Sequence, residues 1–187
     1  CFLVKGQDTY KPQKLKNSKI LIDGIIDNNE WDNAQKVILD YEVNPGNNIT
    51  PKENTTAFIT YTDTHLYVGI YAYAKPEEVR ASVRSRDDFG MISDDFVLVR
   101  FDTYADGRNN YLLLSNAFGS QLDARAVNAL TDEDRYDVSF NLEYETKGTI
   151  VSDGYQVEFK IPFSSLPFPN GTNQKWNFNI TRQAFRY

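Results

Sequence analysis

The feature that most constrains the fold of this chain is a strict alternation of apolar and polar residues. It occurs in residues 138–145, 155–161 and 176–181, where every second side chain is large and apolar. An antiparallel strand has this two-residue period when one face lies on a core and the other faces solvent. The alternation therefore predicts three half-buried strands.

Four further segments are apolar at nearly every position, namely residues 57–62, 66–74, 96–101 and 111–114. Runs of this kind indicate central strands that are covered on both faces. Turn-forming pairs such as Asp153-Gly154 separate the segments. Short strands at this spacing predict an all-β fold, an antiparallel β-sandwich.

Signals for helix are few. Pro76 followed by Glu77 and Glu78 favours a first helical turn, because the helix dipole stabilises acids there, and predicts a short helix up to about Val83. A further helical turn is predicted around residues 29–34. We therefore expect one or two short helices beside the sheets, and one long polar loop over residues 44–56.

Length and charge limit the domain number and the partners. A chain of 187 residues with 41% hydrophobic residues can bury a substantial core, and one domain is expected. Its net charge of −6 argues against nucleic acid, whose binding requires clustered Lys and Arg. No apolar run approaches the roughly 18 residues of a membrane-spanning helix, so no transmembrane helix is predicted.

The beginning of the chain suggests export. The sequence opens with Cys1 and the apolar residues of "CFLV" instead of Met. Either Cys1 is the lipid-anchored first residue of a bacterial lipoprotein, or "CFLV" is the end of a signal segment cut near Gln7. Both alternatives predict a location in the periplasm, the outer membrane or the cell surface. Residues 1–18 are then an N-terminal extension after export processing, and residues 19–187 form a single β-sandwich domain.

The chain has few residues suited to catalysis. His65 is the single histidine, so a histidine-based metal centre would have no second histidine ligand. A catalytic triad would have to use His65 as its base. Paired carboxylates could still hydrolyse a glycoside, and four acids cluster at Asp87, Asp88, Asp94 and Asp95. Acids beside a strand are more often solvated loop residues, so the sequence predicts a protein that is not an enzyme, with a glycoside hydrolase as the alternative.

Calcium is the metal worth considering as a possible structural ion, because it takes oxygen ligands only. The segment "DTYADGRNN" from Asp102 has acids at two positions of a calcium loop, but Tyr104 and Leu113 stand where further ligands belong. A hairpin turn explains this segment as well. The acidic cluster Asp132–Asp134 is equally ambiguous.

The loop "RASVRSRDDFG" carries the groups that a sugar site uses. Arg84, Arg86 and Asp88 can form hydrogen bonds with hydroxyls, and Phe89 offers a ring face. Asn116 and Gln121 on the next hairpin are possible hydrogen-bonding partners of the same ligand. The alternative is an exposed loop whose charges neutralise one another.

Five segments together resemble the carbohydrate-binding module family 9-like domains. They are "IDGIIDNNEWDNA" (22–34), "AFITYTDTHLYVGIYAYA" (57–74), "DDFVLVRFDTYADGRNNYLLLSNAFGSQLDA" (94–124), "DGYQVEFKIPFSSLPFP" (153–169) and "WNFNITRQ" (176–183). They resemble most closely the N-terminal domains of bacterial outer-membrane β-barrel proteins of unknown function. The resemblance implies a β-sandwich, export, carbohydrate binding in the best-known members, and structural calcium in some.

The resemblance also bears on the aromatic residues. Sugar-binding members hold their ligand between two exposed rings, one in the loop before the "DDFVLVRFD" strand and one after the last strand. In this chain the loop before the strand corresponds to residues 90–93, and Phe89 is the nearest ring. The position after the last strand falls near Tyr187. Trp31 is predicted to fill a core beneath the sandwich and not to stack on a ligand.

These observations predict a non-catalytic, exported carbohydrate-binding domain within a larger cell-envelope protein. Its partner would be an oligosaccharide or polysaccharide. The alternative is a protein-interaction domain that serves assembly or gating of an attached outer-membrane β-barrel and binds no sugar.

Overall fold

The computed structural model describes residues 2–3, 9–15, 19–127 and 135–185. The strands are β1 (Phe2–Leu3), β2 (Gln35–Ile38), β3 (Tyr41–Glu42), β4 (Thr55–Tyr61), β5 (His65–Tyr73), β6 (Phe96–Asp102), β7 (Asn109–Asn116), β8 (Gln121–Val127), β9 (Tyr136–Asp137), β10 (Glu145–Val151), β11 (Gly154–Pro162) and β12 (Asn177–Gln183). A single helical turn, α1 (Asn28–Trp31), and 3₁₀ turns at Pro76–Glu78, Phe89–Ser93 and Phe163–Ser165 complete the described elements.

Two antiparallel five-stranded sheets form a β-sandwich, as the sequence predicts. The first sheet has the order β10-β11-β5-β4-β2, and the second has the order β12-β6-β7-β8-β9. The apolar runs at 66–74 and 111–114 supply the two central strands, β5 and β7. These strands need apolar residues on both faces because each sheet carries a further apolar cluster on its outer side.

The main core lies between the sheets. Alternate residues of β11, Val157, Phe159 and Ile161, are fully buried there and meet Val97, Val99 and Leu113 of the second sheet. The predicted strand at 155–161 is therefore confirmed, and so is the one at 176–181, which the structure places at Asn177–Gln183.

Residues 19–34 cover part of the outer face of the first sheet, and Trp31 is the centre of this cover. Its indole is 2% exposed and lies over Gly69, where an added Cβ would be 3.1 Å from the ring. The indole Nε1 donates to buried Glu158 at 3.0 Å, and the same carboxylate accepts from the backbone N–H groups of Asp23 and Gly24. Trp31 is thus a core residue, as predicted.

Burial of Glu158 has an electrostatic consequence. It raises the pKa of this carboxyl to about 7, even though the hydrogen bonds from Gly24 and Trp31 favour the ionised form.

The predicted helix from Pro76 to Val83 is wrong beyond its first turn. The chain forms one 3₁₀ turn, Pro76–Glu78, and is extended from Val79. Side chains hold the extended segment, because the carboxylates of Asp95 and Asp94 accept from the N–H groups of Arg80 and Ser82. These tertiary hydrogen bonds replace the helical ones.

The predicted strand at 138–145 is also wrong. Leu142 and Tyr144 are buried as the alternation requires, but residues 138–144 pair with no strand of the described chain. Instead, the Leu142 N–H donates to the Asp123 carboxylate at 2.6 Å. The strand begins at Glu145, in a segment whose apolar alternation is weak.

Arg182 of β12 links the two sheets through a buried guanidinium. It donates to Glu53 at 2.8 Å, to the Thr55 hydroxyl at 3.1 Å and to the Asn54 carbonyl at 3.3 Å. It also lies 5.6 Å above the Tyr155 ring. In the described part of the chain, no helix has both the length and the apolar character needed to cross a membrane.

Candidate ligand-binding site

Three segments meet at one end of the second sheet. Phe96, the first residue of β6, pairs with Asn116 at the end of β7 and with Gln183 at the end of β12. The turn that precedes β6 (Phe89–Ser93), the turn after β7 (117–120) and the residues after β12 therefore lie at the same edge. The loop at 79–88 joins them, since the Arg84 N–H donates to the Ser120 hydroxyl at 3.0 Å.

Arg84 and Asp94 form the central ion pair of this edge. Arg84 donates through Nε and Nη2 to the two Asp94 oxygens at 2.8 and 2.9 Å, and through Nη1 to Asp88 at 3.3 Å. Burial disfavours ionised Asp94, but hydrogen bonds from Arg84 and Asn116 outweigh it, so the pKa of Asp94 is lowered. The bond to Asp94 also raises the pKa of Arg84. The predicted ligand residue Arg84 is therefore engaged in holding two loops together.

Asn116 must be corrected from a ligand contact to a positioning residue. It is completely buried. Its Nδ2 donates to the Ser82 carbonyl and to Asp94, while its Oδ1 accepts from the N–H groups of Phe118 and Ser120. These bonds fix the turn after β7, and they leave no surface for a ligand to touch.

Arg86 and Gln121 form a second, separate group. Arg86 donates to Gln121 at 3.0 Å, to the Leu142 carbonyl at 2.6 Å and to buried Asp123, and it lies 5.3 Å above the Tyr144 ring. Burial raises the pKa of Asp123. This group anchors residues 138–144 to β8, and Arg86 keeps about a third of its side chain exposed.

Asp88 and Phe89 begin the 3₁₀ turn before β6. The Asp88 carboxylate accepts from the Gly90 N–H at 2.8 Å and thereby caps the turn. Gly90 lies against the Arg84 guanidinium, where an added Cβ would be only 2.1 Å from Nη1. Phe89 projects into solvent beside this contact and is 51% exposed.

Four apolar side chains at this edge are exposed, and we call them the apolar rim: Val83 (83%), Phe89 (51%), Ile92 (55%) and Phe118 (42%). The Arg84 N–H donates to the Ser120 hydroxyl and the Asn116 side-chain amide donates to the Ser82 carbonyl, so the segments that carry Val83 and Phe118 lie side by side. Soluble proteins seldom cluster apolar side chains in water without a partner, so the rim is a candidate binding surface.

The chain after β12 returns to the same edge. The Phe185 N–H donates to the Asp95 carboxylate at 3.0 Å, and Phe185 is 37% exposed. The two places at which the resemblance implies sugar-binding rings are therefore adjacent here. Tyr187, near which the second ring was expected, lies outside the described residues, as does Cys1.

The four clustered acids have structural roles. Asp94 and Asp95 are buried and accept hydrogen bonds from loop residues, while Asp88 caps a turn. Asp87 adopts a left-handed backbone (φ 61°) beside Arg86. A glycosidase needs one acid free to donate a proton and another free to attack or activate water, and Asp94 and Asp95 are not free in this way.

The loop that begins at Asp102 does not fit calcium. Asp102 is buried, and its carboxylate accepts from the Gly107 N–H at 2.8 Å and from the Asn177 amide at 3.1 Å. The Asp106 carboxylate caps the Arg108 N–H. These contacts are those of a hairpin turn. In the described ranges, no group of three or more His, Cys, Asp and Glu side chains could hold a metal. The Asp132–Asp134 cluster lies outside them.

Solved structures with the same fold were found by structural comparison. A candidate carbohydrate-binding protein from Bacteroides uniformis ATCC 8492 superposes with a TM-score of 0.60 at 12% identity, over 83% of this chain and 74% of that one. The family 9 carbohydrate-binding module from Caldicellulosiruptor kristjanssonii in complex with glucose gives a TM-score of 0.54 at 20% identity, over 91% of this chain and 84% of that one.

The fold is that of a family 9 carbohydrate-binding module. The same Caldicellulosiruptor kristjanssonii module in complex with cellotriose superposes with a TM-score of 0.52 at 22% identity, over 92% of this chain and 83% of that one. No protein-family model and no curated protein sequence matches the chain. The predicted fold is thus confirmed, and its implied ligand is considered below.

Sequence reasoning missed three members of the rim, Val83, Ile92 and Phe118. Val83 was assigned to a helix, and Ile92 and Phe118 are single apolar residues in turns, which carry no periodic signal. It also missed Asp94 as the partner of Arg84. The local run "RDD" favours Asp87 and Asp88, whereas the principal partner lies ten residues away.

Proposed function

We propose that this chain is a non-catalytic carbohydrate-binding domain whose ligand contacts the apolar rim. The observation that carries the proposal is the cluster of exposed rings and aliphatic side chains at the sheet edge where the loop before β6 and the residue after β12 meet. Phe89 and Phe118 offer faces for sugar C–H bonds. Arg84, Asp94 and Asn116 hold the loops that carry these rings, while Asp88, Arg86 and Gln121 lie nearby with polar groups for hydroxyls.

The charges at this edge favour a neutral oligosaccharide or polysaccharide as the ligand. The strongest charges at this edge, Arg84 and Asp94, already neutralise each other in a bidentate pair. An acidic sugar would have to compete with Asp94 for this guanidinium. The fold neighbours bound to glucose and cellotriose make β-glucan fragments the first ligands to test.

The test is calorimetric titration with cellotriose and a glycan array, on the wild type and on Phe89→Ala/Phe118→Ala. We expect the double variant to weaken binding at least about tenfold, as loss of ring stacking removes roughly 1–3 kcal/mol per ring. The matched control is Tyr104→Ala, because Tyr104 is a 48% exposed ring beyond the other end of β6. Absence of any glycan ligand, or equal weakening in the control, would refute the proposal.

A second candidate function is protein interaction, and the aliphatic half of the rim favours it. Val83 and Ile92 offer neither a ring face nor a hydrogen bond to a sugar, but they suit an apolar protein surface. Under this second proposal, the chain is the N-terminal domain of an outer-membrane β-barrel protein, and it serves assembly or gating of that barrel without binding sugar. Photo-crosslinkers at positions 83 and 92 of the full-length protein would then trap a downstream segment of the same chain, and crosslinkers at position 104 would not.

We also propose that the domain is exported within a larger cell-envelope protein. The support is the resemblance described above. Fractionation of cells that express the full-length gene should place the protein in the envelope. A cytosolic product would contradict this proposal.

A further inference from the structure

One surface loop carries an asparagine that is followed directly by a glycine. Residues 169–175 lie between the 3₁₀ turn at Phe163–Ser165 and β12, and each of them is exposed. The pair Asn170-Gly171 in this loop is the single Asn-Gly pair of the sequence. The amide carbon of an asparagine side chain can reach the next backbone nitrogen, and glycine leaves this approach open because it has no Cβ. The loop therefore offers an unhindered pair to this reaction.

The backbone nitrogen of Gly171 is free to react. Within the part of the chain that the structure describes, no group accepts a hydrogen bond from its N–H. The Gly171 carbonyl accepts from the Gln174 side-chain amide at 2.9 Å, and this bond leaves the nitrogen untouched. Apart from the chain neighbours, the described atom nearest to an ideal Cβ on Gly171 is the Gln174 Nε2, at 3.8 Å. The space around the glycine is thus open.

Two Asp-Gly pairs of the fold have the opposite arrangement. The Gly24 N–H donates to the buried Glu158 carboxylate at 2.7 Å, and the Gly107 N–H donates to the buried Asp102 carboxylate at 2.8 Å. A nitrogen that must first give up a hydrogen bond to a carboxylate reacts about 10- to 100-fold more slowly. The fold therefore protects these two glycines and leaves Gly171 reactive.

We propose that Asn170 is a site of spontaneous deamidation in the folded protein. The Gly171 nitrogen gives up its proton to hydroxide and forms a bond to the Asn170 amide carbon. The side-chain nitrogen leaves that carbon as ammonia after taking a proton from water, and a cyclic imide remains. Water then opens the imide at either carbonyl and gives aspartate or isoaspartate. In sum, the asparagine and one water give a carboxylic acid and ammonia, so the step needs no oxidant or other reagent.

The modification changes the charge and the backbone of the loop. Each event adds one negative charge, and isoaspartate also adds one carbon to the main chain. The loop leads into β12, where Asn177 pairs with Asp102, at the opposite end of β6 from the apolar rim. The modification is therefore independent of the proposed function, and glycan binding at the rim should not change with it.

The experiment incubates the purified protein at pH 8 in ¹⁸O-labelled water and maps its peptides by mass spectrometry over time. We expect Asn170 to convert before the other asparagines, with ¹⁸O incorporated and with both aspartate and isoaspartate formed, because an imide gives both. Asn173 is an internal control, since it is exposed in the same loop but precedes Gln174, and it should convert at least about tenfold more slowly. Gly171→Ala should slow conversion of Asn170 by about the same factor.

A parallel incubation in urea separates the effect of the fold from that of the sequence. Isomerisation at Asp23-Gly24 and Asp106-Gly107 should be at least about tenfold faster in urea, while Asn170 should react within about threefold of its rate in buffer. Asn170 that converts in urea but stays intact in buffer would overturn the proposal, because the folded loop would then protect it. Equal rates at Asn170 and Asn173 would also overturn it, since exposure and not the glycine nitrogen would then decide.

Discussion

At the scale of single residues, one tryptophan and one acid fix the cover on the first sheet. The alternation in β11 assigns Gln156 and Glu158 to solvent, yet both are buried beneath residues 19–34. The two-residue period predicts which face of a strand a side chain takes, but it cannot show that a distant segment covers the second face. The sequence therefore predicted the role of Trp31 and missed its hydrogen-bond acceptor.

The raised pKa of Glu158 predicts that stability falls as pH rises. The pKa is 4.5 in the unfolded reference and about 7 in the fold, so between these values the folded chain holds more protons than the unfolded chain. The contribution of Glu158 to stability should be fully present below pH 4.5, decrease by as much as roughly 3 kcal/mol up to pH 7, and then stay level.

Urea unfolding of the wild type and Glu158→Gln at intervals between pH 4 and 8 measures this difference. The variant should lose most of the decline, because its side chain does not titrate. The control Glu143→Gln should keep the wild-type profile. If the stabilities of the wild type and Glu158→Gln decline in parallel as pH rises, another group causes the decline.

At the scale of elements, charged and polar side chains and not backbone ladders hold the loops of the candidate site. The segments around Val83, Phe89 and Phe118 are joined by Arg84, Asp94 and Asn116, whose contacts span 10 to 36 residues of sequence. Periodicity located β6 and β7 correctly. It gave no information on these contacts, because they depend on which loops the folded strands bring together.

Breaking the Arg84–Asp94 pair should destabilise the fold and loosen the rim. We expect Asp94→Asn to cost about 2–4 kcal/mol in urea unfolding, since it leaves a half-buried guanidinium without its principal carboxylate. Arg84→Lys should cost less than Asp94→Asn, because lysine keeps the charge but loses the bidentate geometry. The matched control is Arg80→Lys, whose exposed side chain should be replaceable within about 0.5 kcal/mol.

The contact between β10 and the turn after β7 gives another prediction at this scale. An added Cβ on Gly148 would lie 2.7 Å from the Ala117 carbonyl oxygen and from the Gly119 nitrogen, both backbone atoms. Gly148→Ala should therefore force the two sheets apart locally and cost at least about 2 kcal/mol. Lys147→Ala on the same strand should be nearly neutral, and equal losses in the two variants would contradict a steric cause.

At the scale of the whole molecule, the sequence could predict the sandwich but not the order of its strands. Six of the seven apolar segments indicated strands that build the core, whereas β2, β8 and β10 have mixed composition and were missed. Strand order depends on pairing across long stretches of chain, as in the contact of β12 with β6, and local pattern does not encode such pairs. Three of the four rim residues, Val83, Ile92 and Phe118, escaped prediction for the same reason.

Arg182 tests the coupling of the two sheets. Arg182→Ala should destabilise the whole sandwich by about 3–5 kcal/mol in a single unfolding transition, because it removes the link to Glu53 and Thr55 and leaves a buried space. Arg108→Ala changes an exposed arginine and should have little effect. Two separate transitions in the Arg182 variant would instead show that the sheets unfold independently.

The bond from the Trp31 indole to Glu158 gives the molecule a built-in optical probe. The chain has two tryptophans, so Trp176→Phe leaves Trp31 as the sole source of indole fluorescence. An indole senses the charge of the group to which its N–H is bound, and the emission of this variant should shift with a midpoint near pH 7. Fluorescence from a single ring would then report when Glu158, on the sheet beneath this cover, becomes ionised.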